Sequence, residues 1–426
     1  MSSLWRHREF VKFWAGSAIS DVGSQVTALA VPLIAALTLD ATPWQMGLLS
    51  AAGGAPILLV GLFAGVWVDR VRRRPVMIAT DLGRAVLLLI VPLAAVVGAL
   101  RIELLYAVLL LTGALTVLFD VANMSLLPSL VTPDRIIEGN TKLQSTTAAA
   151  QVVGPGVGGL LVSIMTAPFA LLVDALSFLV SAAFIARARV PEAAPDTRGT
   201  RAGVASEIAE GVRVVVDDRV LRALAGASAT TILFGRMFMA VYVLYMTRVL
   251  GWNAMGVGLV FATGGVGSLA GSVVAERLAR RFGPGPTMIG AQVAFGLIGM
   301  MVPLAVLVPS WALSMIVASE FGQWMAILVY WVNAISVRQA ITPDRVLGRV
   351  NATMRFLAGG ANPIGAVIGG AFGGLIGVPL TLVVASFGML LGFLWLLLSP
   401  VRTLFTMPAT NPLGPPSTPE PATAAR

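Results

Sequence analysis

Residues 65–75 read GVWVDRVRRRP, with one acid and four arginines inside six consecutive positions, Asp69 to Arg74, in a chain that is otherwise almost wholly apolar. Hydrophobic residues make up 57% of the 426 and charged residues 12%, against about 25% charged in a soluble domain. Mean hydropathy is +0.88. In such a chain a charge cluster marks a place where the polypeptide leaves the bilayer, and the stretches between clusters are measured against a membrane-crossing helix of about 20 apolar residues. Working outward from Asp69, apolar windows fall near 10–38, 44–68, 75–98, 103–126, 140–165 and 168–187, and again near 219–247, 254–279, 286–308, 310–336, 346–375 and 378–399. The sequence predicts an all-α integral membrane protein with twelve transmembrane helices.

The placement of Lys and Arg orients those spans. Alternate connections hold Arg6, Arg8 and Lys12; Arg70 to Arg74; Arg135 and Lys142; Arg187 to Arg222; Arg277 to Arg281; Arg338 to Arg349; and Arg402, whereas the opposite connections hold only Arg101 and Arg248. Because positive connections stay on the cytoplasmic side, a multi-pass protein of the cell membrane with both termini cytoplasmic is expected. The basic start, MSSLWRHREFVKFW, has the charge of a signal peptide, but the run after it is long, polar in places and lacks a small-residue cleavage site, so it is read as a retained first span. A net charge of +9 does not imply nucleic acid here, since the arginines are scattered between apolar runs and no basic tail exists.

Absent residues exclude several chemistries. With Cys 0 and a single histidine, His7, there are no disulfides, thiolate sites or histidine clusters, and no metal or cofactor is expected. Neither lysine, Lys12 nor Lys142, sits in a Walker A loop, so the chain carries no P-loop ATPase of its own. An integral membrane enzyme would need clustered nucleophiles, metal ligands or paired acids at one membrane face, and none is apparent.

The chain also repeats itself. ITPDRVLGRVNATM from Ile341 echoes VTPDRIIEGNTKLQ from Val131, an offset of about 210 residues. ERLARR, Glu276 to Arg281, aligns with DRVRRR, Asp69 to Arg74, and Asn123 with Asn333; Gly154, Pro155, Gly158 and Gly159 correspond to Pro363, Gly369 and Gly370. Two parallel six-helix bundles are expected, 1–187 and 219–400, joined by a linker, 188–218, that turns amphipathic from Ala202 and is read as a tether on the membrane surface. Residues 401–426, rich in Pro, Ala and Thr, read as a disordered cytoplasmic tail.

These residues resemble the major facilitator superfamily. Gly65, Asp69, Arg70, Arg73 and Arg74 resemble its cytoplasmic loop between spans 2 and 3, with Arg72 where that family usually has glycine, and Ser272 to Arg281 resembles the weaker copy between spans 8 and 9. QVVGPGVGG from Gln151 resembles the span 5 motif associated with exporters. FDVANMSLLPSLV before TPDR, with REFVKFWAGSAISDVGSQVTALAVPLI at the amino end, is most similar to the branch of enterobactin exporters and macrolide efflux proteins, drug:proton antiporters. Span 4 lacks the arginine that many such antiporters carry there. The resemblance implies two pseudo-symmetric bundles and a central cavity lined by spans 1, 4, 7 and 10.

Several side chains are candidates for function. Asp69, Arg70, Arg73, Arg74, Asp120, Glu276, Arg277 and Arg355 lie near the cytoplasmic ends of spans, where ion pairs across the seam can form in one conformation and break in another; each is worth about 1–3 kcal/mol as a coupling between states. The competing reading for the arginines is simple positive-inside anchoring, and a pairing of Arg355 with Asp69 is one possible contact. Gly154, Pro155, Gly158 and Gly159 bend span 5 and admit a close neighbour, as do the glycines of span 11, which places spans 5 and 11 at the seam between halves.

Ionisable groups within the bilayer cost about 2.5–3.5 kcal/mol on insertion scales. Asp21 shares a helical face with Trp14, Ser17, Ser24 and Gln25, and Glu320 one with Gln323, Trp324, Ile327 and Trp331. Burial disfavours a carboxylate, so Asp21 and Glu320 are candidates to carry protons or touch substrate, the alternative being permanent ion pairing. Arg236 is a candidate partner for either acid. It lies opposite Phe234 and Phe238 on span 7, so either it or those aromatics face the cavity.

The function expected is secondary active export of a bulky, partly hydrophobic organic compound, such as a drug, a macrolide-like natural product or a siderophore, by alternating access as a proton antiporter. The alternative is a lysophospholipid or metabolite transporter, or an uptake facilitator, of the same fold. The partners expected are the small-molecule substrate, protons and the lipid bilayer, with no nucleic acid, and the chain is expected to act as a monomer.

Overall fold

The computed structural model describes residues 4–68, 70–132, 135–188 and 204–407, and among these it is helical with no strand. Among the described residues eleven helices are long and apolar enough to cross a membrane: Arg8–Thr38, Arg73–Val96, Ile102–Met124, Ile136–Met165, Ala167–Arg187, Arg219–Val249, Ala254–Phe282, Pro284–Leu307, Pro309–Ile341, Arg345–Leu375 and Val378–Leu397. The twelfth crossing is residues 43–68, expected as one helix but broken into Pro43–Gly54, Pro56–Leu59 and Gly61–Val68. Pro56 has no N–H to continue the ladder, and the glycines beside the breaks oppose bending little. Below, spans are numbered 1 to 12 in chain order, with 43–68 as span 2. Span 9 is interrupted in the same way, Pro284–Gly299 giving way to Met301–Leu304 around Pro303.

The duplication seen in the sequence extends to fine backbone detail. Span 1 ends in a π turn, Ile34–Thr38, and span 7 in another, Tyr245–Val249. Each is followed by a left-handed residue, Asp40 at φ 49 and Gly251 at φ 72. The next spans open on matching caps. Thr42 and Gln45 form a capping box, with bonds of 2.8 and 3.3 Å, and Asn253 accepts from the Gly256 amide at 2.9 Å.

Buried residues show how the halves meet. At the end remote from the termini a single apolar core takes Leu29, Leu88 and Val162 from the first half together with Met237, Val241 and Val257 from the second. At the end bearing the termini the cores are separate, one around Phe10, Phe13, Met77 and Leu126, a second around Leu224, Met288, Tyr330 and Leu396, and a small third around Leu221, Ala225, Val350 and Met354. The bundles are therefore fused at the far end and parted at the terminal end.

Glycine makes the fusion possible. A Cβ on Gly47 of span 2 would lie 2.7 Å from Gly370 Cα of span 11, and one on Gly258 of span 8 would lie 2.6 Å from the Pro155 carbonyl oxygen of span 5. The small-residue stretches of spans 5 and 11 thus do sit at the seam, but their partners are spans 8 and 2, the geometry that a two-fold repeat demands. Toward the terminal end, Gly348 of span 11 faces open space.

The linker helix, Val204–Asp217, differs from the expected surface tether. Val215 packs with Val350 and Met354 of span 11, and Arg349 donates to Glu210 at 2.5 Å. Val215 is thereby buried, while Val212 and Val216 of the same helix stay exposed. Asp69, residues 189–203 and the tail from 408 lie outside the described residues, and with them the expected Asp69–Arg355 pairing and most of the expected disordered tail; its first residues, 401–407, are placed against the second bundle, with Val401 buried and the Leu404 carbonyl accepting from the Gly285 amide at 3.0 Å.

Candidate functional site

Between the parted halves runs a hollow whose wider parts share wall residues. The part nearest the far end is about 410 Å³ and is lined by Gln25, Pro32, Ser50, Gln151, Arg236, Phe261 and Trp324. The middle part is about 600 Å³ and adds Phe238, Phe295, Glu320, Gln323, Ile327, Trp331, Arg355 and Met389. The terminal part is about 570 Å³, with Trp331, Arg338, Gly348 and Arg355 in its wall. Of the residues singled out in the sequence, Gln25, Arg236, Glu320, Trp324 and Trp331 meet here.

Span 10 supplies the acid. Its helical spacing sets Glu320, Trp324 and Trp331 along one face, and the Glu320 carboxyl accepts from Trp324 Nε1 at 2.8 Å and from Tyr242 Oη of span 7 at 3.0 Å. Glu320 is only 1% exposed, whereas Trp324 is 42% exposed to the hollow. A carboxyl held by two neutral donors and no cation can keep or release a proton without losing an ion pair. The expected partnership with Arg236 is not made.

Span 7 settles which of its faces looks inward. Arg236 is exposed and lines the far and middle parts, while Phe238, Tyr242 and Tyr245 are buried against neighbouring helices and Phe234 presses on Gly388 of span 12. Phe238 also reaches the edge of the middle part.

The first half holds a constellation that sequence reasoning missed. Asp81 and Arg84, three residues apart on span 3, are 0% and 3% exposed and form an ion pair. The Arg84 guanidinium also lies over the rings of Phe119 and Phe178, 4.4 and 4.1 Å from their centroids. Around it, in electrostatic range, stand Asp21, Asp120 and Asp174. A cavity of about 390 Å³ is lined by Ser24, Thr27, Arg84, Thr116, Asp120, Asp174 and, from span 11, Asn362. Arg84 Nε and Asp81 Oδ2 are buried without a hydrogen-bond partner. The signal that would have found this pair is an acid and a base at i,i+3 within a membrane span.

Two placements change accordingly. Asp21 is not among the residues lining the three parts described above; its carboxyl accepts from Thr147 Oγ1 of span 5 at 2.7 Å, and Trp14 Nε1 donates to Thr146 at 2.9 Å, so these polar residues of span 1 turn toward span 5. Asp120 is not at a helix end, because span 4 continues to Leu130, which leaves it beside Arg84 and within range of Arg355. Asp174 accepts from Thr27 and from Ser177 Oγ at 2.9 Å.

The loop residues mostly serve their own half. Arg74 donates to the Ile185 carbonyl at 3.0 Å and to the Ala186 carbonyl, closing the C-terminal end of span 6. Glu276 pairs with Arg280 at 2.5 Å, both exposed, and Arg70 and Arg277 are exposed. The one cross-half ion pair among those given by the described residues is at the far end, where Arg248 meets Asp40 at 2.6 Å and the Ala36 carbonyl at 3.3 Å. No group of three or more acids and histidines suited to a metal ion occurs among the described residues.

A twelve-crossing duplicated bundle around a hollow that both halves wall is the architecture of a membrane transporter. The chain belongs to the transmembrane secretion effector family of the major facilitator superfamily, whose profile matches residues 2–421. The resemblance read from the loop and span 5 motifs is thereby borne out, and membership sets the chain among transporters and not enzymes. The chain is 28% identical over 387 residues to the multidrug efflux pump Tap of Mycolicibacterium fortuitum, covering 87% of this chain and 91% of that protein. It is 25% identical to the enterobactin exporter EntS of Citrobacter koseri, covering 98% of each. Among solved structures, the nucleoside transporter NupG superposes with a TM-score of 0.73 at 11% identity, covering 92% of this chain and 99% of that one. A bacterial homologue of ferroportin superposes at 0.67 and 17% identity, over 93% and 100%.

Proposed function

We propose that this protein is a secondary transporter of the cell membrane that exports a bulky, partly apolar organic compound from the cytoplasm by alternating access, in exchange for protons. The observation that carries the reading is the hollow itself: walled by Trp324, Trp331, Phe261 and Phe295, open toward the terminal end and sealed at the far end by backbone contacts between halves. With both termini in the cytoplasm, as the distribution of arginine favours, this is the conformation that receives cargo from inside. The efflux activities in the names of similar proteins, multidrug and enterobactin, agree with that direction.

Glu320 is the proposed proton carrier on the cargo side and the Arg84 cluster the second protonatable region; Gln25, Arg236, Trp324 and Trp331 are proposed to contact cargo. The acids Asp69 and Glu276 are proposed to pair with arginines of the opposite half, drawn from Arg70, Arg73, Arg74, Arg277 and Arg355, in the opposite conformation, when the terminal end closes.

The test is efflux of a panel of compounds from cells expressing the wild type, Glu320→Gln or Asp21→Asn, with and without a protonophore. Glu320→Gln keeps two hydrogen-bond partners and removes the titratable group, so accumulation against a gradient should fall by about tenfold or more while exchange down a gradient persists. Extrusion that survives both the protonophore and both substitutions would exclude proton coupling and leave the transporter intact.

A further inference from the structure

Among the described residues lining the hollow, three carry guanidinium groups and one a carboxyl. Arg236 stands where its far and middle parts join, exposed to that space, and among the described residues neither a hydrogen bond nor an ion pair reaches it. Arg355 lines the middle and terminal parts, and Arg338 the terminal part, with its Nε buried and unpartnered. Glu320 is the single acid among the described lining residues of all three parts, and its carboxyl is taken up by Tyr242 and Trp324. The acids of the first half lie in the separate cavity around Arg84.

A guanidinium within the bilayer is retained where something answers its charge, and at Arg236 no side chain among the described residues does. Its planar fork of donors fits carboxylate, sulfonate and phosphate in two-point fashion. Beside Arg236 the wall is mainly apolar and aromatic, Met239, Phe261 and Trp324 sharing the far and middle parts with it alongside the uncharged Gln151 and Ser268.

We propose that the cargo is an amphiphilic anion, with its acid group on Arg236 and its apolar or aromatic body against Trp324 and Phe261. The hollow then discriminates by sign of charge, taking anions over cations of equal size. The proposal rests on the reading of the hollow as the cargo site and adds to it a substrate class.

The experiment uses two permanently charged salts with one ring system, pyrene sulfonate and a pyrenyl trimethylammonium. Their binding to the full-length protein in lipid nanodiscs is measured against empty discs, and their transport in proteoliposomes. The sulfonate should bind about tenfold tighter or more, and Arg236→Gln should bring the two affinities within about threefold by weakening the sulfonate alone. Arg236→Lys, which keeps the charge and loses the fork, should retain part of the preference, and Arg355→Gln most of it, so the outcome does not hang on one variant. Equal binding of both salts, tighter binding of the cation, or a preference untouched by Arg236→Gln overturns the proposal. If the cation is the one bound and exported, the exporter reading stands and the anion reading falls; if neither salt binds or moves, both fall.

Discussion

The two halves share a backbone down to their π turns, yet their interiors carry opposite charge. The first gathers four carboxyls, Asp21, Asp81, Asp120 and Asp174, around one guanidinium, Arg84. The second sets one carboxyl, Glu320, in a wall that also bears Arg236, Arg338 and Arg355. The offset that superposes Ile34–Thr38 on Tyr245–Val249 places Gln25 opposite Arg236, and the offset that pairs Asn123 with Asn333 places Asp120 opposite Tyr330. Packing at the seam constrains backbone and small residues alike in both copies, whereas groups that face a cavity are free to diverge. Duplication has thus preserved the hinge surfaces and allowed the halves to specialise, one toward protons and the other toward cargo under the proposals above.

The comparison can be broken most directly at Arg84. Arg84→Leu leaves Asp81 buried without its counter-charge, and a loss of about 3–5 kcal/mol in stability is expected, seen as a lower thermal midpoint of the purified protein. Adding Asp81→Asn should restore part of that loss. A variant as stable as the wild type would mean that the first half does not depend on its cation.

The shared seam comes next. Gly47→Ala and Gly258→Ala each drive a methyl against backbone, and each should destabilise the closed far end by about 1–3 kcal/mol. The chain has no native cysteine, so a single Ala28→Cys in the far part of the hollow reports opening by its labelling rate from the far side. Equal acceleration by the two substitutions sharpens the symmetry argument, and a large inequality breaks it.

Arg236→Gln should behave unlike Arg84→Leu, shifting the thermal midpoint by less than about 1 kcal/mol equivalent, because it breaks no interaction within the protein. The smallest effect is expected at the far-end pair. Asp40 is 93% exposed and Arg248 34%, so Asp40→Asn should cost under about 1 kcal/mol of far-end closure, a difference that vanishes as salt is raised in the same labelling assay.

Much of this fold was legible in the sequence because its signals are redundant: alternating arginine clusters, apolar windows of bilayer length and the TPDR echo all require the same duplicated bundle. Glu320 and its tryptophans were legible too, since one face of one helix contains them. Asp81 and Arg84 were not, because an acid and a base three residues apart scarcely lower the apolar average of a long window. Helical phase separated Arg236 from Phe234 but could not choose the inward face, which depends on how neighbouring helices pack. The partners of spans 5 and 11 were hidden for the same reason, and the full length of span 4 moved Asp120 from a presumed edge to the interior.

At the far end, glycine lies on glycine and on proline carbonyl. Those two strips carry no long side chain, so at the strips themselves closing freezes few rotamers and parting releases few, unlike the flanking Leu29, Met237 and Arg248. The entropy of side-chain ordering on closure should therefore come from the flanking residues, while the strips contribute contact enthalpy and the hydration of narrow backbone surfaces.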